Sequence, residues 1–144
     1  DIDTANWLFN EMPQVVFARS GKIRHEREDF TNIMLGYKND KVAIISSNWI
    51  TPKKVRKFSA VCTEAIISSD FLTQEIKVEK DEDSEIIQNE KQEPLMREIQ
   101  NFLDSIEDKS KQIVKANEAV NVTKIAEAAL LSSQKGTPIY LDLK

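Results

Sequence analysis

Few residues in this chain have side chains suited to chemistry, and their types and spacing restrict what that chemistry can be. There is one histidine, His25, and one cysteine, Cys62. A lone imidazole excludes a histidine-rich metal site and leaves no context for a Ser-His-Asp arrangement. Within Lys22–Glu28 it has the setting of an ordinary loop residue. Cys62 ends the apolar run RKFSAVC, where a small core residue is expected rather than a nucleophile, and a single thiol excludes an internal disulfide or a cysteine zinc cluster. The three glycines, Gly21, Gly36 and Gly136, lie too far apart for G-x-G-x-x-G or a P-loop. No metal and no cofactor site is therefore expected in this chain alone.

Two features stand above that background. Asp1 and Asp3 open an apolar helical stripe, Ile2, Ala5, Leu8 and Phe9, that Met12-Pro13 ends. A carboxylate on a first turn is favoured by the helix macrodipole even without a function. The second is Asn48-Trp49-Ile50-Thr51-Pro52-Lys53-Lys54-Val55-Arg56-Lys57, with four cations just beyond a strand end. Strand-like alternation would aim Lys54 and Arg56 to one side, and with the Thr51 hydroxyl they could bind phosphate oxygens. The competing reading is a solvated strand end.

The elements that must position these residues come in a clear order. Gln14–Ala18 is a short strand, with Ser20-Gly21 as turn chemistry before the charged stretch. Asp29–Tyr37 places Thr31, Ile33, Leu35 and Tyr37 on one strand face. Asn39-Asp40 makes a tight turn into a strand over Val42–Trp49. Arg56–Cys62, Ala65–Ser68, Leu72–Val78 and a weak strand at Ile86-Ile87 come next, with the solvated turn KDED before the last. Pro94 opens a helix whose apolar residues are Leu95, Ile99, Phe102, Leu103 and Ile106. A polar link, EDKSKQ, leads to a helix capped by Asn117, with Val122, Ile125, Ala126, Ala129 and Leu130 inward. Gly136 and Pro138 stop it, and Ile139–Leu143 closes the chain as a strand.

This order predicts an α+β fold with a largely antiparallel open sheet and helices packed on one face. The other face, with Ile45, Trp49 and Phe58 as candidates, is expected to be an oligomerisation surface. The 144 residues carry 20 Lys and Arg against 24 Asp and Glu, with net charge −4. That balance argues against a nucleic-acid partner. No apolar run spans a membrane and no signal peptide opens the chain, so the expected compartment is the cytoplasm. The chain begins with Asp1 inside a helix, as a piece of a longer protein would.

Taken together, several blocks resemble the C-terminal domain of the Gfo/Idh/MocA family, the glucose–fructose oxidoreductase and inositol dehydrogenase group. DIDTANWL is similar to the residues just after the histidine in that family's H-D-x-D helix. Arg24-His25-Glu26-Arg27-Glu28-Asp29-Phe30, NWITPKKVRK, Glu93-Pro94-Leu95 with Phe102, and Thr123–Leu130 (TKIAEAAL) complete the likeness. It runs nearly the whole length. The NW-x-TP-x-K-x-R block is most similar to nucleotide-sugar members, the UDP-N-acetylglucosamine 3-dehydrogenases.

The resemblance implies a dihydrodipicolinate-reductase-like fold and a single domain over residues 1–144. It further implies a substrate-binding and oligomerisation half of an NAD(P)-dependent dehydrogenase. A sugar or nucleotide-sugar hydroxyl would be oxidised, with NAD or NADP bound in the full-length protein by an N-terminal Rossmann domain. That domain would be the chain's partner, together with further copies in a homo-dimer or tetramer through the sheet face. The family's lysine (E-K-P) and histidine are outside this sequence. Only the aspartate of H-x-x-D carries over, as Asp3, in a supporting catalytic role. Thr51, Lys54 and Arg56 become substrate contacts. The alternative is a stand-alone oligomerisation or small-molecule-binding module without catalysis.

Overall fold

The structure, a computed structural model, describes residues 1–88, 90–109 and 112–142. The chain divides into two compact units, residues 1–51 with 113–144, and residues 52–112. The EDKSKQ link includes Ser110 and Lys111, and the expected closing strand includes Leu143. These three lie outside the described residues.

The first unit holds α1 (Ile2–Phe9), β1 (Val15–Gly21), β2 (Phe30–Gly36) and β3 (Val42–Asn48). The second contributes β4 (Lys57–Val61), β5 (Ile66–Asp70), β6 (Glu75–Glu79), β7 (Ser84–Gln88) and α2 (Pro94–Glu107). The chain returns to the first unit with α3 (Ala116–Lys135) and β8 (Ile139–Tyr140). The described strands form two four-stranded antiparallel sheets, ordered β3-β2-β1-β8 and β4-β5-β6-β7. The α+β class with antiparallel pairing is as expected, and its strands are divided between two sheets.

Period-two alternation decides which residues of β1 and β2 enter the core. Val16 and Ala18 on β1, and Ile33, Leu35 and Tyr37 on and after β2, are buried against Ala5 of α1 and Ile125, Ala128 and Ala129 of α3. The register pairs Ile33 with Ile45, so Ile45 lies on this same covered face and is partly buried there. That corrects its expected place on the open face. Ile44 points the other way and is 80% exposed. Phe58, expected beside Ile45, belongs to the other sheet, on β4, and Cys62, expected in the core, is exposed because β4 ends at Val61 and leaves it in the turn beyond. Ser20-Gly21 is not a turn either, because β1 runs on to pair Gly21 with Phe30. A Cβ on Gly21 would stand 2.5 Å from the Phe30 ring, so this glycine serves close packing.

Asn39 and Asp40 both take positive φ, 54° and 58°, as a two-residue hairpin turn with the sheet's twist requires. The hairpin is tied to α1. Tyr37 donates its hydroxyl to Asn6 Oδ1 at 2.8 Å, and its ring meets Phe9 edge-on at 4.7 Å. Burial, reinforced by the Glu11 charge, pushes the Tyr37 phenol up to about 12. Asn6, a polar residue between apolar ones in the sequence, is thus buried for its bond to Tyr37, while Leu8 is exposed.

Helix α3 begins one residue before the expected cap, with Lys115 at the cap position. Glu118 takes the Lys115 backbone N–H at 2.8 Å, so a carboxylate one turn in replaces the side-chain cap assigned to Asn117. Gly136, at φ 70°, ends the helix. The buried stripe is Asn121, Ile125, Ala128, Ala129 and Ser132. Ala126 and Leu130, expected inward, are exposed at its margin.

In the second unit, β6 starts at Glu75, later than expected. Asp70 Oδ1 accepts the Leu72 N–H at 2.8 Å and Gln74 turns through a positive φ of 59°, which together close the β5–β6 hairpin. Pro94 opens α2 beside Glu93, whose carboxylate accepts the Leu95 N–H at 3.3 Å. The stripe Leu95, Ile99, Phe102, Leu103 and Ile106 forms as its spacing dictates, but every member is exposed. The first turn of α2, at Pro94 and Arg97, lines a hollow with Ser69 and Ile76 of its own unit's sheet. No described helix is long and apolar enough to cross a membrane.

Ile125 is fully buried and Leu130 is 45% exposed. Ile125→Ala should therefore cost about 2–5 kcal/mol, as for other core truncations. Leu130→Ala should cost well under half as much, and urea unfolding of the two variants measures the difference.

Candidate functional site

The strongest polar cluster in the described residues is built on Asp29, which sequence reasoning passed over. Its side chain is 1% exposed. One carboxylate oxygen, Oδ2, accepts the backbone N–H groups of Ile23 and Arg24 at 2.6 Å each and of His25 at 3.2 Å. The other, Oδ1, faces His25 Nδ1 in a short contact. The Arg24 backbone N–H, the His25 side chain and the Ile23 N–H hold this carboxyl far below the usual carboxylate range. Its backbone is equally engaged: the Asp29 N–H donates to Gly21 O at 2.8 Å, and its carbonyl accepts the Trp49 N–H at 2.9 Å. His25 is a loop residue, as expected, and also the lid of this carboxylate. The signal that could have found Asp29 was its place as the last acid of a charged loop, directly before the apolar alternation of a strand.

Beyond Trp49 the chain leaves β3 through an Asx turn. Asn48 Oδ1 accepts the N–H groups of Ile50 at 3.2 Å and Thr51 at 3.0 Å. Thr51 is thereby placed at the end of the first unit, exposed. Trp49 is 83% exposed. It borders a hollow of about 240 Å³, lined also by Phe30, Thr31, Ser47 and Leu130.

Lys54 and Arg56 belong to the second unit and are exposed. Residues 52–56 precede β4 and are not strand, so alternation does not aim these two cations together. The Arg56 guanidinium instead lies 5.4 Å from the Phe71 ring centroid, a cation–π contact. Its carbonyl accepts the Phe71 N–H at 2.9 Å. Lys57 is engaged elsewhere, 3.2 Å from Asp70. Asp3 sits exposed on the first turn of α1, where the helix dipole favours its charge.

Known proteins share this arrangement of elements. The profile of a family described as "Oxidoreductase family, C-terminal alpha/beta domain", that of Gfo/Idh/MocA proteins, matches residues 1–141. The chain belongs to this family. No curated protein sequence matches it. Among solved structures, an oxidoreductase from Thermotoga maritima is similar at TM-score 0.84 and 17% identity, covering 97% of this chain and 44% of that one. UDP-N-acetylglucosamine 3-dehydrogenase GnnA from Acidithiobacillus ferrooxidans is similar at 0.75 and 21%, over 93% of this chain and 43% of the other. An Agrobacterium radiobacter oxidoreductase in complex with NAD+, L-tartaric acid and magnesium gives 0.72 and 18%, over 96% and 46%. The chain spans less than half the length of each, and at these identities the likeness is one of fold.

The three glycines of this Gfo/Idh/MocA domain form no phosphate cradle. Gly21 packs under Phe30, a Cβ on Gly36 would meet Val15 at 2.7 Å, and Gly136 ends a helix. None opens a helix toward a phosphate. Among the described residues no group of three or more His, Cys, Asp or Glu side chains could hold a metal ion.

The Asp29 arrangement carries a pH dependence. A carboxyl held below its unfolded value near about 3.9 adds stability above that pH and loses it as pH falls toward the folded value. Asp29→Asn should lower stability at neutral pH and flatten its decline below about pH 4. Acid titrations followed by circular dichroism would show both; an unchanged acid limb would contradict this role.

Proposed function

We propose that this chain is the substrate-binding and oligomerisation half of an NAD(P)-dependent dehydrogenase. The reaction proposed is oxidation of a secondary hydroxyl of a sugar or nucleotide sugar, in the cytoplasm. The observation that carries this is the family match over residues 1–141, in a chain whose own glycines form no dinucleotide cradle. NAD or NADP would then be held by an N-terminal Rossmann domain, with residues 1–144 acting as one C-terminal domain beside it. The likeness to the UDP-N-acetylglucosamine 3-dehydrogenase favours a nucleotide sugar.

Each candidate residue has a role its chemistry can fill. Asp3, an exposed carboxylate, would orient a hydrogen-bond donor close to the reacting hydroxyl, supporting proton transfer without accepting the proton itself. Thr51 would donate its hydroxyl to a substrate oxygen. Lys54 and Arg56 would bind the diphosphate, for which a planar guanidinium is the better-shaped donor. Stacking on Phe71 orients that guanidinium before substrate arrives. Removing a hydrogen bond to a charged group costs about 1.5–3 kcal/mol. Arg56→Ala in the full-length enzyme should therefore raise the KM for a nucleotide sugar by roughly ten- to a hundredfold, while KM for a free sugar is unchanged. Equal kinetics on the nucleotide sugar would return Arg56 to a solvated surface role.

Self-association is proposed through the face of the first sheet that turns away from α3. Register places Met34 beside Ile44, and both are exposed, as are Val42 and Tyr140. An apolar face of this kind on a soluble chain is a candidate for two-fold pairing. Ile44→Glu should shift sedimentation toward monomer while leaving the circular dichroism spectrum unchanged. A parent protein that stays monomeric at high concentration would refute this surface.

A further inference from the structure

We infer that Asp29 is a positioning residue that makes loop 22–28 and the segment Asn48–Thr51 one mechanically coupled rim. Its carboxylate holds the loop by three backbone N–H groups and the His25 ring. Its own backbone is bonded on both sides, to Gly21 O at the end of β1 and to the Trp49 N–H at the end of β3. Asp29 is also the residue at which the loop joins β2, so a loop freed from the carboxylate is free to pull on the Asp29 backbone and with it the carbonyl that holds Trp49. Trp49 adjoins Asn48, whose side chain alone folds the adjoining turn onto Thr51. A loop-side change is thus transmitted to Thr51 through a short chain of hydrogen bonds, all within one compact unit. The arrangement has one releasable member. His25 is 65% exposed and can be altered without opening the core, whereas the buried carboxylate cannot.

The consequence for substrate binding rests on Thr51 being a substrate contact, as proposed above; the mechanical coupling does not. The test uses the full-length protein with His25→Ala, His25→Asn and Thr51→Val, and with Asp29→Asn where that variant folds. Asparagine retains an N–H donor near the place of Nδ1, so it should restore what alanine removes. Amide hydrogen exchange is read at Ile23, Arg24, Trp49 and Thr51. In His25→Ala, exchange should quicken at all four by roughly tenfold, with the amides of β1 and β2 unchanged and His25→Asn close to the parent. The KM for a nucleotide sugar should rise several-fold with kcat little altered. Faster exchange confined to Ile23 and Arg24, with Trp49 and Thr51 at parental rates, would overturn the coupling. Faster exchange at all four amides with Thr51→Val kinetically silent would uphold the coupling and reject Thr51 as a substrate contact.

Discussion

The first unit depends on how the open edge of β1 is satisfied. Strand β8 covers that edge only at Val15 and Val16. Beyond it, the N–H groups of Ala18 and Ser20 would be turned toward a packed helix without acceptors, at about 1–3 kcal/mol each. Ser132 Oγ accepts the first at 3.0 Å and Ser133 Oγ the second at 2.8 Å. Two adjacent hydroxyls on α3 thus do the work of a missing strand. They also fix where the helix lies, which brings Ile125, Ala128 and Ala129 over Val16 and Ala18. Alanines at that contact let helix and sheet approach closely. Ser132 then donates to Thr137 O at 2.8 Å, so one buried hydroxyl joins the strand edge, the helix end and the turn into β8.

The same problem recurs where β1 leaves the sheet, and it is solved with a charge. A seven-residue loop of mostly ionic side chains, whose one apolar residue, Ile23, stays exposed, gains little anchorage from hydrophobic burial. Asp29 supplies the anchor from within. Its buried carboxylate meets three backbone N–H groups and an imidazole, the full set of partners that makes a buried anion tolerable. Loop order at this rim therefore comes from backbone polarity rather than hydrophobic area.

The strands, the hairpin at Asn39-Asp40 and the two long helices were legible because period and turn chemistry act locally. So was the fold class. What was not legible depended on register or on distant partners. Whether Ile44 or Ile45 faces the core is a matter of one residue, and pairing with Ile33 decides it. Gly21 looks like a turn residue until Phe30 is placed beside it. Asn117 has the right type for a cap, yet Glu118 competes for the same helix start. At the candidate site, Thr51 and Arg56 could be singled out by type and spacing. The Phe71 ring that receives Arg56 lies fifteen residues on and could not be foreseen. Asp29 was hidden by company, one acid among charged neighbours, and only burial separates it from them.

The buried and the exposed polar groups of the chain do different work. Among the described residues the buried polar groups, Asn6, Asp29, Asn121 and Ser132, include three with structural hydrogen bonds to define them. The residues proposed to meet substrate, Asp3, Thr51, Lys54 and Arg56, are all exposed and lie on a helix start or between strands. No described cluster combines a nucleophile with a base. In the proposed reaction these groups orient and carry charge, and the reacting atoms are supplied by the cofactor-binding domain. In the function proposed for this chain, such a division would leave the choice of substrate to these exposed groups and the redox step to an adjoining cofactor-binding domain.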